Sequence, residues 1–422
     1  MPLALVVNAT RRVRDVPLRQ ARRLVASGAS SWSQISQGPG RLQVLRVSEP
    51  SNQAWRARVR ADTSALAVVP AAAVDGTVRV LTVDGRHPLR QPESYPLTVR
   101  WDRPQPTVTT LTAVGDIMLA RRVGQAMRAA DDPALPFRPL ANRLASAEIT
   151  VGNFESSLSR DGRPSQGGDS FGADPSAIQA LRMAGIDLVS LANNHLGDYG
   201  DSAMRTTFDR FASSGVHAVG AGTTLAAARR PVILQRDGTR VGFLATDSIG
   251  ETPAATATTA GTNRLDMPPR TGPLDRADLR RITEDIETLS RQVDVVVVMT
   301  HWGTQYTHRP EPSQRTAARA FAAAGADLVI GGHPHWVQGW ELIGSTITVH
   351  SLGNFVFDMD FSSQTQQGVF VEIVLWNGAV KAVEPVPYTI GSDFAPRLAS
   401  GDRADAILND VWRFSRGPFQ SR

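Results

Sequence analysis

From residue 107 onward one hydrophobic pattern recurs. A short apolar run stops at a polar cluster, and a segment of helical spacing follows. The runs are Thr110–Val114, Glu148–Val151, Ile186–Leu191, Val293–Met299, Ala326–Ile330 and Thr346–His350. β-branched residues dominate them, which predicts buried strands. They end at Gly115-Asp116, Gly152-Asn153-Phe154-Glu155, Asn193-Asn194-His195, Thr300-His301-Trp302-Gly303, Gly331-Gly332-His333-Pro334-His335 and Ser351-Leu352-Gly353-Asn354. Between them, Ser176–Ala184 and Gln314–Ala322 space their apolar residues as amphipathic helices, and both stop at Ala-Gly. Alternating strand and helix predicts an α/β fold, in which side chains at strand carboxyl ends meet in one crevice.

The first hundred residues read as a separate small α/β lobe. Leu18, Ala21, Leu24 and Val25 share a helical face, while Ala65–Pro70 and Val78–Val83 read as strands with Asp84-Gly85 as a turn. His87 lies in a turn region and reads as a surface residue. Trp101–Pro106 is a Pro-rich joint, so the expected organisation is 1–104, then 105–392, then a tail over 393–422 with one helix at Ala404–Phe414. Residues 251–272 are Thr/Ala/Pro-rich and read as a connecting loop or a lid; 379–390 alternates as a late edge strand.

Length and composition suit two or three globular domains: 422 residues, 41% hydrophobic and 20% charged. No apolar run reaches the roughly 18 residues of a membrane span. Met1–Asn8 is too short and lacks the basic flank of an export signal. Net charge is +5, with 16 Arg against 7 Asp/Glu in residues 1–104. Those arginines are scattered and not interleaved with stacking aromatics, which argues against a nucleic-acid partner. With no cysteine, a metal must be held by His, Asp, Glu or Asn.

The strand ends supply such a set: Asp116, Glu155, Asn194, His301, His333 and His335. Alone, His333-x-His335 is a weak signal; beside four other polar strand ends it becomes a candidate ligand pair. Mixed carboxylate, amide and imidazole donors suit Mn, Fe or Zn better than Ca or Mg. Six ligands exceed what one catalytic zinc needs, so one or two divalent ions are expected. His195 is placed as a general acid. Asn193, His308, Trp302 and Trp336 are candidate substrate contacts, with ordinary packing the competing reading for the tryptophans. Asp198 either steadies the His195 loop or caps the next helix. His350 reads as a supporting hydrogen-bonding residue and His217 as a solvated one.

The stretches AVGDIMLARR, VGNFESSLS, FGADPSAIQALRMAGIDLVSLANNHLGDYG, VVMTHWGTQY, IGGHPHWVQGWE and HSLGNFVFD resemble the CapA family of capsule and poly-γ-glutamate biosynthesis proteins, relatives of the calcineurin-like metallophosphoesterases. The likeness runs through about residues 108–390. It implies a four-layer metallophosphoesterase-like β-sandwich flanked by helices, with the metal site at the sandwich edge. By position it implies Asp116 as the first-motif aspartate, Glu155 as a bridging carboxylate, Asn194 and His195 as ligand and acid, and His301, His333 and His335 as ligands. Two departures stand out: the usual Asp-x-His is Asp116-Ile117-Met118 here, and the acid after the Asn-His pair is Leu196. One metal position is therefore short of a ligand. RQARRLVASGASSWSQI and LAVVPAAAVDGTVRVLTVDGRHPLR in the first lobe resemble part of a phosphate-type periplasmic substrate-binding domain.

Two functions follow as expectations. One is a metal-dependent, phosphoesterase-like hydrolase acting on an anionic polymer or phosphoester in the cell envelope, within an envelope biosynthesis complex. The other is a non-catalytic polymer-binding or assembly component that keeps the fold. An extracytoplasmic location is the expectation, ahead of a cytoplasmic one.

Overall fold

The computed structural model describes residues 1–35, 38–47, 54–100, 102 and 104–421; Trp101 and Arg103 of the Pro-rich joint lie outside the described residues. The chain forms two compact units. One comprises Met1–Thr110, Glu372–Glu384 and Arg416–Arg422; the other comprises Leu111–Val371 and Pro385–Ser415.

The first unit is built on β1 (Leu3–Asn8), β2 (Asp15–Val16), β3 (Gln43–Arg46), β4 (Ala65–Pro70) and β5 (Val78–Val83), ordered β2-β5-β1-β4-β3. The opening apolar stretch is thus a central strand, paired antiparallel on both sides. Its core gathers Val6, Trp55, Val59, Ala67 and Val80 with Val374 and Trp376. His87 is buried here, contrary to the surface position expected of a turn residue. Its Nδ1 accepts from the backbone N–H of Leu89 at 3.1 Å, and its Nε2 stands 3.1 Å from Glu384 Oε1. The carboxylate arrives from nearly 300 residues away, which no local pattern reveals.

The remaining strands are β6 (Val108–Ile117), β7 (Ile149–Phe154), β8 (Leu188–Ser190), β9 (His217–Val219), β10 (Ala221–Gly222), β11 (Val232–Arg236), β12 (Thr239–Asp247), β13 (Gly261–Thr262) and β14 (Val295–His301). They continue with β15 (Leu328–Gly332), β16 (Trp340–Ile343), β17 (Thr346–Val349), β18 (Asn354–Val356), β19 (Gln367–Trp376), β20 (Ala379–Ile390) and β21 (Pro396–Leu398). One sheet is ordered β21-β20-β19-β6-β7-β8-β9 with β18 beside β6, the other β11-β12-β14-β15-β17-β16. β21 pairs with β20 only at Tyr388–Ile390, so the edge strand expected over 379–390 is covered just at its carboxyl end.

Helices pack on the outer face of each sheet. Met127, Leu181 and Phe211 come from helices Arg121–Ala129, Ala177–Met183 and Gly200–Ala212 and join the core of β6, β7 and β8. Ile282, Ile286 and Leu289 form one stripe of helix Arg276–Ser290 and, with Phe321 of Pro312–Ala323, cover β14 and β15. Asp275 caps the first of these, accepting from Ala277 N at 2.7 Å and Asp278 N at 2.9 Å. The other opens with a Glu311/Gln314 capping box and Pro312. The inner faces meet, with Val114, Gly115 and Ser190 lining a narrow gap opposite Met299, Thr300 and Ile330. Helix, sheet, sheet, helix is the expected four-layer α/β arrangement. The segment 251–272 is a packed connection: β13 pairs with β10, and Leu265 and Met267 sit in the core under helix Arg276–Ser290.

Candidate metal centre

Register brings the polar strand ends into two rows. Across one sheet Asn354 pairs with Asp116, Asp116 with Asn153, and Asn153 with Ser190. Across the other Asp247 pairs with His301 and His301 with Gly332. These strands run parallel, so their carboxyl ends lie level and the loops beyond them converge. His333 and His335 take φ of +91° and +57°. That left-handed backbone is unfavourable for a side chain bearing a Cβ and turns both imidazoles back toward the strand ends.

Asp116, Glu155 and His335 each present a ligand atom, all within 4.8 Å of one another and all buried. Asp116 Oδ1 accepts from Asn153 Nδ2 at 2.9 Å, and Oδ2 from the His333 backbone N–H at 3.1 Å. His335 Nδ1 stands 2.8 Å from Asn354 Oδ1 and 3.7 Å from Asp116 Oδ2. Glu155 Oε1, His333 Nδ1 and His335 Nε2 are buried without a hydrogen-bond partner among the described residues. Unsatisfied buried polar atoms cost roughly 1–3 kcal/mol each. Two of them belong to Glu155 and His335, which with Asp116 form the cluster, and such atoms fit a cation that accepts their lone pairs.

Burial sets the protonation states. It pushes the Asp116 carboxyl up to about 7 and Glu155 well above its ordinary range, with Asp116 and Asp198 adding repulsion at Glu155. Burial drives His335 down to about 3, and His301 and His333 well below the usual imidazole value. The imidazoles are therefore neutral at neutral pH, the form that binds metal. The two close carboxyls lack a charge partner that a divalent ion would supply.

His195 is organised differently. Its Nδ1 lies 2.8 Å from Asp198 Oδ2, and its ring stacks on Phe171 at 3.7 Å between centroids. Arg121 also lies over the Phe171 ring, 4.5 Å from its centroid, and pairs with Asp169 and Asp358. His195 Nε2 points toward Glu155 Oε1 at 3.8 Å. Asp198 steadies the His195 loop, also accepting from Phe171 N at 2.6 Å, and the next helix has no side-chain cap from it.

Asn194 Oδ1 lies 2.9 Å from His301 Nε2, and Asn194 Nδ2 donates to Glu251 Oε2 at 2.8 Å. Among the expected substrate contacts, Asn193 is fully buried, its amide turned to Asn153 and the Phe154 carbonyl. Trp302 is also fully buried: its Nε1 donates to the His350 carbonyl at 2.9 Å and its ring stacks near Phe321. It supports β15 from behind. His308 turns toward Trp336 and Phe414, its Nδ1 on the Val337 carbonyl at 2.7 Å. Trp336 is half-buried beside Tyr306. His350 supports the site through that carbonyl, and His217 is exposed.

Several neighbours escaped sequence reasoning. Asn153 sits between the carboxylates, and its signal was the strand period: Asn153 and Glu155 are two apart and share a face. Tyr306 lies over His335 at 6.0 Å and Phe361 over Tyr306 at 5.4 Å, both exposed at the mouth. Glu251 and Arg270, an ion pair behind Asn194, come from the low-complexity loop, where no pattern marked them.

Capsule biosynthesis protein CapA of Bacillus anthracis is 32% identical over 286 residues, covering 67% of this chain and 67% of that one. PGA biosynthesis protein CapA of Bacillus subtilis is 30% identical over 289 residues, covering 67% and 72%. A phosphatase of known structure from Mycoplasma pneumoniae aligns over 68% of this chain and 95% of its own, with TM-score 0.40 and 12% identity. The family model for the bacterial capsule synthesis protein PGA_cap matches residues 110–359, which take in every strand end of the centre. On that match the chain belongs to the bacterial capsule synthesis protein family PGA_cap.

Proposed function

We propose that this chain is a metal-dependent hydrolase of capsule or poly-γ-glutamate biosynthesis, acting in the cell envelope on a phosphoester or polymer linkage. The observation that carries this reading is the buried cluster of Asp116, Glu155 and His335, with ligand atoms left unpaired. Family membership supplies the process. The ion would be divalent, of the Mn, Fe or Zn type that a mixed O/N set favours. Asp116, Glu155 and His335 would hold it, with His333 beside them. When bound, it supplies Lewis-acid stabilisation of charge developing on an anionic substrate.

The protein's own groups do the rest. Asp198 holds His195 Nδ1, which leaves Nε2 as the atom that gives a proton to a leaving group. Stacking on Phe171 keeps the ring in that plane. Arg121, over Phe171, adds positive charge for an anionic substrate such as a phosphoester or a carboxylate polymer.

A second reading is a polymer-binding or assembly component with a structural ion. It is favoured by Met118, which stands in the usual histidine's position but is buried, its sulfur accepting from Ala120 N at 3.1 Å. Metal analysis of the purified chain, with turnover of bis(p-nitrophenyl) phosphate by wild type and His335→Ala, separates the two. The hydrolase reading expects bound divalent metal and turnover, both lost in the variant. A metal-free protein with turnover unaffected by the substitution would sink it. Tight binding of poly-γ-glutamate without turnover, unchanged by chelator, would replace it with the second.

A further inference from the structure

Two aromatic rings stand exposed at the mouth, and the backbone holds them there. Phe361 is 64% exposed and Tyr306 38%. Tyr306 takes φ of +59°, a left-handed backbone costly for a bulky residue. Its N–H donates to the Pro334 carbonyl at 2.9 Å, which ties its loop to the turn carrying His333 and His335. Its phenol has no hydrogen-bond partner among the described residues. Phe361 rides on the loop between β18 and β19, and that loop is tied on both sides of it. Asp358 pairs with Arg121 and accepts from the Arg122 N–H at 3.2 Å, while Asp360 accepts from Arg122 Nη1 at 2.7 Å. Beyond Phe361, the Thr365 carbonyl accepts from Asn354 Nδ2 at 3.0 Å. Adjoining exposed aromatics on anchored loops, beside a buried polar centre, mark a ligand surface.

Geometry and charge narrow the ligand. Phe361 meets Tyr306 edge to face, with 5.4 Å between centroids and 87° between planes. Trp336 flanks Tyr306 at 6.4 Å. Perpendicular rings cannot sandwich a flat aromatic ring. They form a corner, whose faces suit the C–H groups of a chair-shaped ring. The polar groups beside this corner suit hydroxyls. Burial pushes the Tyr306 phenol up, with Asp169 and Glu155 adding to the rise against Arg121, so it stays a neutral donor. Asp169, exposed and within reach of that phenol's charge, is an acceptor. An extended polyanion fits poorly. Arg121 is paired with Asp169, Arg122 with Asp360 and Arg270 with Glu251, so each guanidinium is matched by a carboxylate. A polymer with one carboxylate per residue would have to displace them or meet like charge. A sugar phosphate confines its charge to one end.

We propose that this mouth binds a phosphoester of a sugar, with the sugar ring seated in the corner of Phe361 and Tyr306. This rests on the hydrolase reading and narrows its substrate.

The test titrates full-length chain, loaded with Mn2+, by calorimetry. The probes are α-D-glucose 1-phosphate, N-acetyl-α-D-glucosamine 1-phosphate, ethyl phosphate, phenyl phosphate and a γ-linked glutamate decamer. At least one sugar phosphate is expected to bind about tenfold tighter than ethyl phosphate. Phe361→Ala, a change at an exposed side chain, is expected to bring the ratio of those two dissociation constants to about twofold or less. Equal affinities for sugar and ethyl phosphates, or a ratio unchanged in the variant, overturn the proposal. So does tighter binding of phenyl phosphate, which would assign the corner to a flat ring, or of the decamer, which would assign it to a polyanion. Turnover of bis(p-nitrophenyl) phosphate, recorded in parallel, keeps the two readings apart. Turnover without a sugar preference sinks the proposal alone. A Phe361-dependent sugar preference without turnover removes the hydrolase and leaves a sugar-phosphate site.

Discussion

Gly332 and Asp116 approach so closely that no side chain fits between them: a Cβ on Gly332 would overlap Asp116 Oδ1. The carboxylate cannot swing aside, because Asn153 holds one oxygen and the His333 N–H the other. Gly332→Ala is expected to displace a ligand and weaken Mn2+ binding about 10- to 100-fold, with a stability loss of about 1–3 kcal/mol. Gly331→Ala differs in kind, since its Cβ would strike the His350 carbonyl, which is backbone. It is expected to cost about 3 kcal/mol or more, read by urea unfolding. Equal effects of the two substitutions on unfolding would count against this division of labour.

Glu155 is a buried carboxyl beside another, with one oxygen unpaired. In metal-free protein Glu155→Gln relieves that repulsion and is expected to stabilise by about 1–2 kcal/mol. In wild type, Mn2+ at a hundredfold excess over its dissociation constant is expected to add about 3 kcal/mol. The variant is expected to lose that gain. Thermal midpoints with and without Mn2+ give both numbers, and a variant that keeps the metal-dependent shift would remove Glu155 from the ligand set.

The first unit carries an acid-sensitive pair. Burial alone would raise the Glu384 carboxyl, but His87, Arg90 and Arg79 outweigh it and hold it down at about 2. A carboxyl lowered on folding stabilises above its unfolded value of 4.5 and loses that contribution as pH falls toward 2. The contribution at neutral pH is on the order of 2–3 kcal/mol. Glu384→Gln is expected to be less stable than wild type at pH 7 and to lose less stability between pH 4.5 and 2. Parallel stability–pH curves for the two proteins would refute the pairing.

His195 and Asp198 act through one proton position, Nδ1, at 2.8 Å. His195→Ala is expected to lower turnover of a phosphodiester by about 10²–10⁴-fold with the ion count unchanged. Asp198→Ala is expected to cost about 10- to 100-fold and to move the pH profile of turnover. Loss of the ion in either variant would make these residues part of the metal site instead.

Much of this architecture is written locally. Val295–Thr300 is apolar enough to be a strand buried on both faces, and the glycines at 331 and 332 stop the next strand beside it. Strand ends in an α/β fold meet because parallel strands deliver their loops to one edge. So Asp116, Glu155, Asn194, His195, His301, His333 and His335 could be named from sequence, and the structure brings them together. What depends on which way a side chain turns was not legible. Trp302 and His308 share a loop beyond β14, yet one fills the core and the other leans on Phe414. Asn153 and Asn193 look interchangeable as letters, but a carbonyl at Phe154 and an N–H at His195 decide which points into the cluster. Periodicity and glycine placement are properties of a few neighbouring residues, and these determined the strands, their ends and the ligand types. Hydrogen-bond direction and burial of His87 on Glu384 need partners far apart in the chain, and only the tertiary structure decided them.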